Sequence, residues 1–224
     1  MEAPDRAVKA GPVAPVWRLW APWALLAIAL WGFPAPSRAG APTDQIRGTI
    51  DRAIEILKDP TLSAKEKREE RRELLKKEIE PVFGFEEMAK RSLGPNWRDR
   101  TPGERDRFVA LFRELLENSY LGKIESYQGE VIRYGKETVD GPYAQVKTLV
   151  ITGKGQEIPV EYRMLADKGR YRIYDVVIEG ISLVNNYRSQ FNSILRKSSF
   201  ADLLDKLRAS IKEQKSSALP SPFA

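Results

Sequence analysis

The spacing of apolar residues changes period twice along this chain, and that change restricts its fold more than any other feature. From Thr43 onward Ile46, Ile50, Ala53, Ile54 and Leu57 recur at helical steps, and Asp59-Pro60 ends the run. Ser63 with Glu66 predicts a capping box for a highly charged helix reaching Ile79, and Pro81 closes it. A short helix over 85–93 stops at Gly94-Pro95. Thr101-Pro102-Gly103-Glu104 then opens a long helix carrying Phe108, Leu111, Phe112, Leu115, Leu116, Tyr120 and Ile124.

After Gly129 the period falls to two. Strands are expected over 130–134, 144–152, 157–165 and 170–178, separated by Asp140-Gly141-Pro142, Gly153-Lys154-Gly155 and Asp167-Lys168-Gly169. In the third, Ile158, Val160, Tyr162 and Met164 alternate with polar or proline positions, the pattern of an antiparallel sheet with one wet face. Beyond Gly180 the helical period returns in Leu183, Val184, Tyr187, Phe191, Ile194 and Leu195, then in Phe200, Leu203, Leu204, Leu207 and Ile211. Helices on both sides of a meander in sequence define one α+β unit, with no repeat and no internal linker.

Residues 1–39 read as an export signal. Arg6, Lys9 and Arg18 precede a charge-free stretch over 19–33, which is shorter than the roughly 20 residues a bilayer span needs. Ser37-Arg38-Ala39 fits cleavage after Ala39 and a mature start at Gly40; retention as an anchor is the alternative. Export implies the periplasm of a double-membraned bacterium, or the outside of the cell, and once the signal is cleaved no membrane span is expected. The domain expectation is therefore a signal over 1–39, a folded unit over 40–214 and a disordered tail over 215–224, whose small and proline residues have no period.

Charge and composition exclude whole classes of function. The net charge is +6, of which residues 1–39 contribute about a third, and the remaining cations are interleaved with acids, so nothing supports a nucleic-acid face. The run KEKREERRELLKKE over 65–78 alternates in sign as a solvated helix face does, and it is the expected surface for electrostatic docking of partners. The chain has no Cys and no His, which removes thiolate chemistry, the imidazole base and the usual transition-metal ligands. The best carboxylate pair, Asp175 and Glu179, would stand roughly 13 Å apart along a strand, too far for a glycosidase. No G-x-S-x-G or S-x-x-K motif occurs in the mature chain, and no phosphate-binding Gly-rich loop. No enzyme and no cofactor is expected.

Three segments resemble the MlaC, or toluene-tolerance, family of periplasmic phospholipid-binding proteins. They are FEEMAKRSLGPNWRDRTPGERDRFVALFRELL (85–116), VEYRM (160–164) and YRIYDVVIEGISLVNNYRSQFNSIL (171–195). Tyr171 stands where Trp is expected in the family pattern. The resemblance runs over nearly all of 43–211 and implies helices packed around a strongly twisted antiparallel sheet of about four strands, with an apolar lipid cavity between the layers. It also implies a shuttle carrying phospholipid as cargo between an outer-membrane lipoprotein complex and an inner-membrane ABC transporter complex with its lipid-binding subunit, in a system that maintains outer-membrane asymmetry. A carrier of hopanoids or another amphiphile, and a periplasmic adaptor that binds no lipid, are the alternatives.

Within that frame the expected cavity wall is the bulky stripe of the long helix against the apolar sheet face and the following helix: Phe108, Phe112, Leu115, Val146, Val160, Tyr162, Met164, Val177, Tyr187 and Phe191. Any one of these serves a closed core equally well. Arg188, near a helix start, is the headgroup or mouth candidate, with an ion pair to Asp175 or Glu179 as its structural alternative. Trp97-Arg98 is a weaker candidate for the same edge.

Overall fold

The computed structural model describes residues 42–216; the expected export signal, and residues 217–224 of the expected tail, lie outside the described residues. In chain order the helices and strands are α1 (Pro42–Lys58), α2 (Arg68–Ile79), α3 (Phe85–Leu93), α4 (Pro102–Glu125), β1 (Val131–Asp140), β2 (Tyr143–Ile151), β3 (Glu157–Asp167), β4 (Arg170–Ile178), β5 (Ile181–Ser182), α5 (Leu183–Leu195) and α6 (Phe200–Ser216). The last helix runs two residues past the expected end of the folded unit at Gln214.

The strands form an antiparallel meander in sequential order, β1-β2-β3-β4-β5. The sheet has five strands where four were expected: Ile181 and Ser182 pair back on Ile178 and Val177 before entering α5. A second difference is the length of β1, which continues through Asp140. The register shifts between Tyr134 and Glu137, so Gly135 and Lys136 form a bulge that resembles a strand end in sequence. Gly suits the position, because a Cβ on Gly135 would crowd the Lys147 carbonyl at 3.3 Å.

Helix starts follow local chemistry closely. Thr101 accepts from the Glu104 amide at 3.3 Å while Glu104 accepts from the Thr101 amide at 2.8 Å, completing the expected capping box of α4. The box expected at Ser63 does not form. Asp59 caps a 3-10 turn over Pro60–Leu62 instead, and the Ser63 hydroxyl donates to the Pro60 carbonyl at 2.7 Å. The charged helix α2 is fixed by Leu75, which is fully buried, and by Arg72, which donates to Glu125 at the end of α4 at 2.9–3.1 Å.

Two main cores result. Met88, Leu93, Phe108, Phe112, Leu115, Tyr187, Phe191, Leu203 and Leu207 close the first, where α3, α4, α5 and α6 meet. Ile46, Val82, Val146, Met164, Tyr171 and Ile173 close the second, where α1 meets the sheet.

Asp175 joins strand to helix. Its carboxylate accepts from the Ser182 hydroxyl at 2.7 Å, the Val184 amide at 3.0 Å and Arg163 Nη1 at 3.3 Å, and Ser182 in turn caps α5 by accepting from the Asn185 amide at 3.1 Å. Asp175→Ala leaves the Val184 amide and the Ser182 hydroxyl without this acceptor beside the buried start of α5, while Arg163 keeps Glu161, so a loss of about 2–4 kcal/mol is expected in urea unfolding.

Candidate functional site

Between the helices and the sheet the packing is incomplete. Two cavities remain, of about 440 Å³ and about 380 Å³. The first is walled by Phe85 and Met88 of α3, Leu116, Tyr120 and Ile124 of α4, and Val160, Tyr162, Val176 and Ile178 of the sheet. The second lies under α1, between Ile46, Ile50, Ile54 and Leu57 and the sheet residues Ile132, Val150, Ile158 and Ile173. Ile79, Phe83, Lys123, Ile124 and Tyr162 line both, so the two cavities are adjacent lobes of one site.

The long helix supplies both a closed core and a cavity wall because its large residues occupy two stripes. At 100° per residue, Phe108, Phe112, Leu115 and Ser119 share one face, while Leu116, Tyr120 and Ile124 lie about 100° around the helix from it. The first face packs in the aromatic cluster of the helical core, where Phe112 meets Tyr187 and Phe191 edge-on with ring centroids 5.2 Å and 5.7 Å away. The second face looks onto the first lobe.

The sheet side is set by another bulge. Arg163 pairs with Asp175 but Met164 pairs with Ile173, which leaves Tyr174 as an extra residue in β4. Before it Tyr171 and Ile173 point to the core; after it Val176 and Ile178 do. The extra residue thus exchanges the faces of the strand and turns Val177 to the side opposite its cavity-lining neighbours.

Of the residues expected to form the wall, Val160 and Tyr162 line the cavities. Phe108, Phe112, Leu115, Tyr187 and Phe191 are packed in the closed helical core, and Val146 and Met164 in the core beneath α1. Val177 is buried on the other face of β4. Sequence reasoning missed the second stripe of α4 and the apolar faces of α1 and the 79–85 turn. The signal for the former was present: apolar residues on α4 span more than one face, the mark of a helix covered on two sides.

Polar groups gather at one edge of the first lobe. Lys76, Glu80 and Glu117 line it, and Arg113 bridges the two acids at 3.6 Å and 3.3 Å. Burial, and then the facing Glu80, hold the Glu117 carboxyl above the usual carboxylate range, against the pull of Lys76 and Arg113. Burial likewise raises the Tyr162 phenol, so a neutral ring is presented where the lobes meet.

Arg188 lies elsewhere. It lines a separate polar cleft of about 520 Å³ with Lys90, Arg91, Trp97, Arg98, Arg163 and Asp175, which shares no residue with either apolar lobe. Its guanidinium packs over Gly94, where a Cβ would lie 2.9 Å from Nε. Asp175, one of the two carboxylates named as its alternative ion-pair partners, is engaged by Arg163 instead. Among the described residues no group of His, Cys, Asp and Glu could hold a metal ion, and no helix is long and apolar enough to cross a membrane.

The model of the MlaC protein family matches residues 47–209. The intermembrane phospholipid transport system binding protein MlaC of Haemophilus influenzae is 22% identical over 144 residues, covering 62% of this chain and 67% of that protein. The toluene tolerance protein ttg2D of Pseudomonas putida is 24% identical over 175 residues, covering 77% and 81%. Among solved structures, a phospholipid-binding protein from Ralstonia solanacearum in complex with a phospholipid shares the fold, with a TM-score of 0.69 at 20% identity over 78% of this chain and 99% of that one.

Proposed function

This chain belongs to the MlaC family, and from that membership and its two apolar lobes we propose that it is a periplasmic phospholipid-binding shuttle of an intermembrane lipid-transport system. The observation that carries the reading is the pair of adjacent cavities, walled almost wholly by aliphatic and aromatic side chains and each within the size range of ligand pockets. A closed adaptor fold has no reason to keep such walls apart, since filling the space would add packing contacts.

The energetics suit a carrier. Exposing a two-chain lipid to water uncovers on the order of thirty methylenes at about 0.8 kcal/mol each, so unaided crossing of an aqueous gap is negligible. An apolar cavity has only to match the bilayer interior, and binding much tighter than about 20 kcal/mol would exceed what non-covalent complexes reach. No covalent step is needed, and the chain acts without catalysis. Its exchange partners are an outer-membrane lipoprotein complex and an inner-membrane ABC transporter complex with its lipid-binding subunit, and residues 1–39 deliver it to the periplasm by cleavage near Ala39.

Transfer between vesicles tests this reading. Delipidated protein incubated with vesicles of labelled phospholipid, reisolated and given to unlabelled vesicles, should deliver the label with the lipid's mass unchanged. Protein that acquires no label supports an adaptor, and lipid released with altered mass supports an enzyme.

A further inference from the structure

Lys123 is the one cation among the described residues that lines both lobes. It sits in the last turns of α4 at an exposed position, its ammonium over the Tyr120 ring at 5.2 Å from the centroid, and no described carboxylate lies within ion-pairing distance. The other charged residues around the first lobe are already engaged: Lys76 lies 2.9 Å from Glu73, and Arg113 holds Glu80 and Glu117. Glu130, at the edge of the second lobe, accepts from the Gln128 amide at 2.7 Å.

We infer that Lys123 binds the phosphodiester of a two-chain glycerophospholipid whose chains divide between the two lobes. This rests on the carrier reading above and deepens it. Two chains joined at one glycerol can occupy two cavities only if the glycerol sits where both are reached, beside the five residues that line both. Four of these, Ile79, Phe83, Ile124 and Tyr162, offer apolar or neutral surface to the chains; the fifth offers a water-facing ammonium to the charge that must stay outside. A cation in the last turn of a helix is favoured by the helix dipole in any protein. That general preference does not explain why this one borders both cavities and has no acidic partner among the described residues.

The arrangement separates cargo by charge and by chain number. Delipidated full-length exported protein is incubated with vesicles containing equal amounts of phosphatidylglycerol and a diacylglycerol of the same chains, reisolated and extracted. The wild type should favour the phospholipid, Lys123→Gln should reduce that preference by about fivefold, the worth of a partly exposed ion pair, and Lys123→Arg should keep it. Inorganic phosphate at millimolar concentration should not displace the lipid, since the chains hold it.

Val150→Trp, and independently Ile54→Trp, should fill the second lobe and shift uptake from two-chain phospholipid toward the one-chain lysophospholipid; melting of both variants confirms that the protein tested is folded. A wild type that takes up neither lipid overturns the carrier reading itself. A wild type that loads normally while Lys123→Gln keeps its lipid ratio, or while folded filled-lobe variants still take two-chain lipid at wild-type levels, overturns the inference alone.

Discussion

Val160→Glu should yield a folded protein that has lost nine-tenths or more of its bound lipid, whereas Met164→Glu should fail to fold. The two residues lie four apart on β3 and carry apolar side chains of similar purpose in sequence, yet their surroundings differ. Val160 is partly buried and borders the first lobe beside Tyr162, Val176 and Ile178. A carboxylate there projects into space that water can enter when lipid is absent, so the empty protein tolerates it. The loaded protein does not, because an ionised or protonated carboxyl against methylenes goes without the hydrogen bonds it had in water, at a cost of several kcal/mol.

Met164 is wholly buried, packed with Val146 and Ile173 beneath α1. A charge there has neither space nor a partner, and its burial would remove a large share of a typical net stability of 5–15 kcal/mol. Circular dichroism and extracted phospholipid, measured on the same preparations, distinguish the two outcomes. Val160→Glu with wild-type lipid would remove the first lobe from the binding site, and a stable, folded Met164→Glu would contradict the assignment of that region as core.

The second large effect is on stability alone. Phe112→Ala should cost about 3–5 kcal/mol in urea unfolding while the surviving folded protein keeps its lipid. Phe112 is fully buried, stacks on Phe108 at 5.8 Å and meets Tyr187 and Phe191 edge-on, so truncation opens a hole in the middle of the aromatic cluster. None of these four rings borders either lobe. A loss below about 1 kcal/mol accompanied by emptying of the site would mean instead that the cluster opens onto the cavity.

These expectations depend on distinctions that periodicity alone does not make. The order of helices and strands was legible, because the change from a helical period to alternation and back leaves few topologies for a chain of 224 residues. The α4 start was legible to the residue, since Thr101 and Glu104 cap it by local hydrogen bonds that depend on nothing distant. Ser63 and Glu66 carried the same pattern and did not cap, because Asp59 and Pro60 had already started a turn three residues earlier. A local motif is decided by its neighbours as well as by itself.

Which face of an element meets the cavity was not legible, for a geometric reason in each case. On α4 the two phenylalanines pack among other helices, while Leu116, Tyr120 and Ile124 of the second stripe make the wall, so bulk alone does not separate core from cavity. On β4 the extra residue at Tyr174 reverses the faces, so strict alternation selects Val177 over Val176 and Ile178. Val160 and Tyr162 were found because the alternation of β3 holds unbroken from Ile158 through Tyr162. Arg188 was expected at a helix start; it lies in the second turn of α5, and only the three-dimensional arrangement assigns it to a separate polar cleft.

The measurement that bears most directly on the central claim is the identity of whatever fills the two lobes in the protein as the cell makes it. Protein isolated from the periplasm without detergent, weighed intact under native conditions and then denatured and extracted with organic solvent, should show a mature chain beginning near Gly40 with one phospholipid bound per molecule. A folded protein of the same length that carries no lipid, and that takes none up from phospholipid vesicles, would contradict the account.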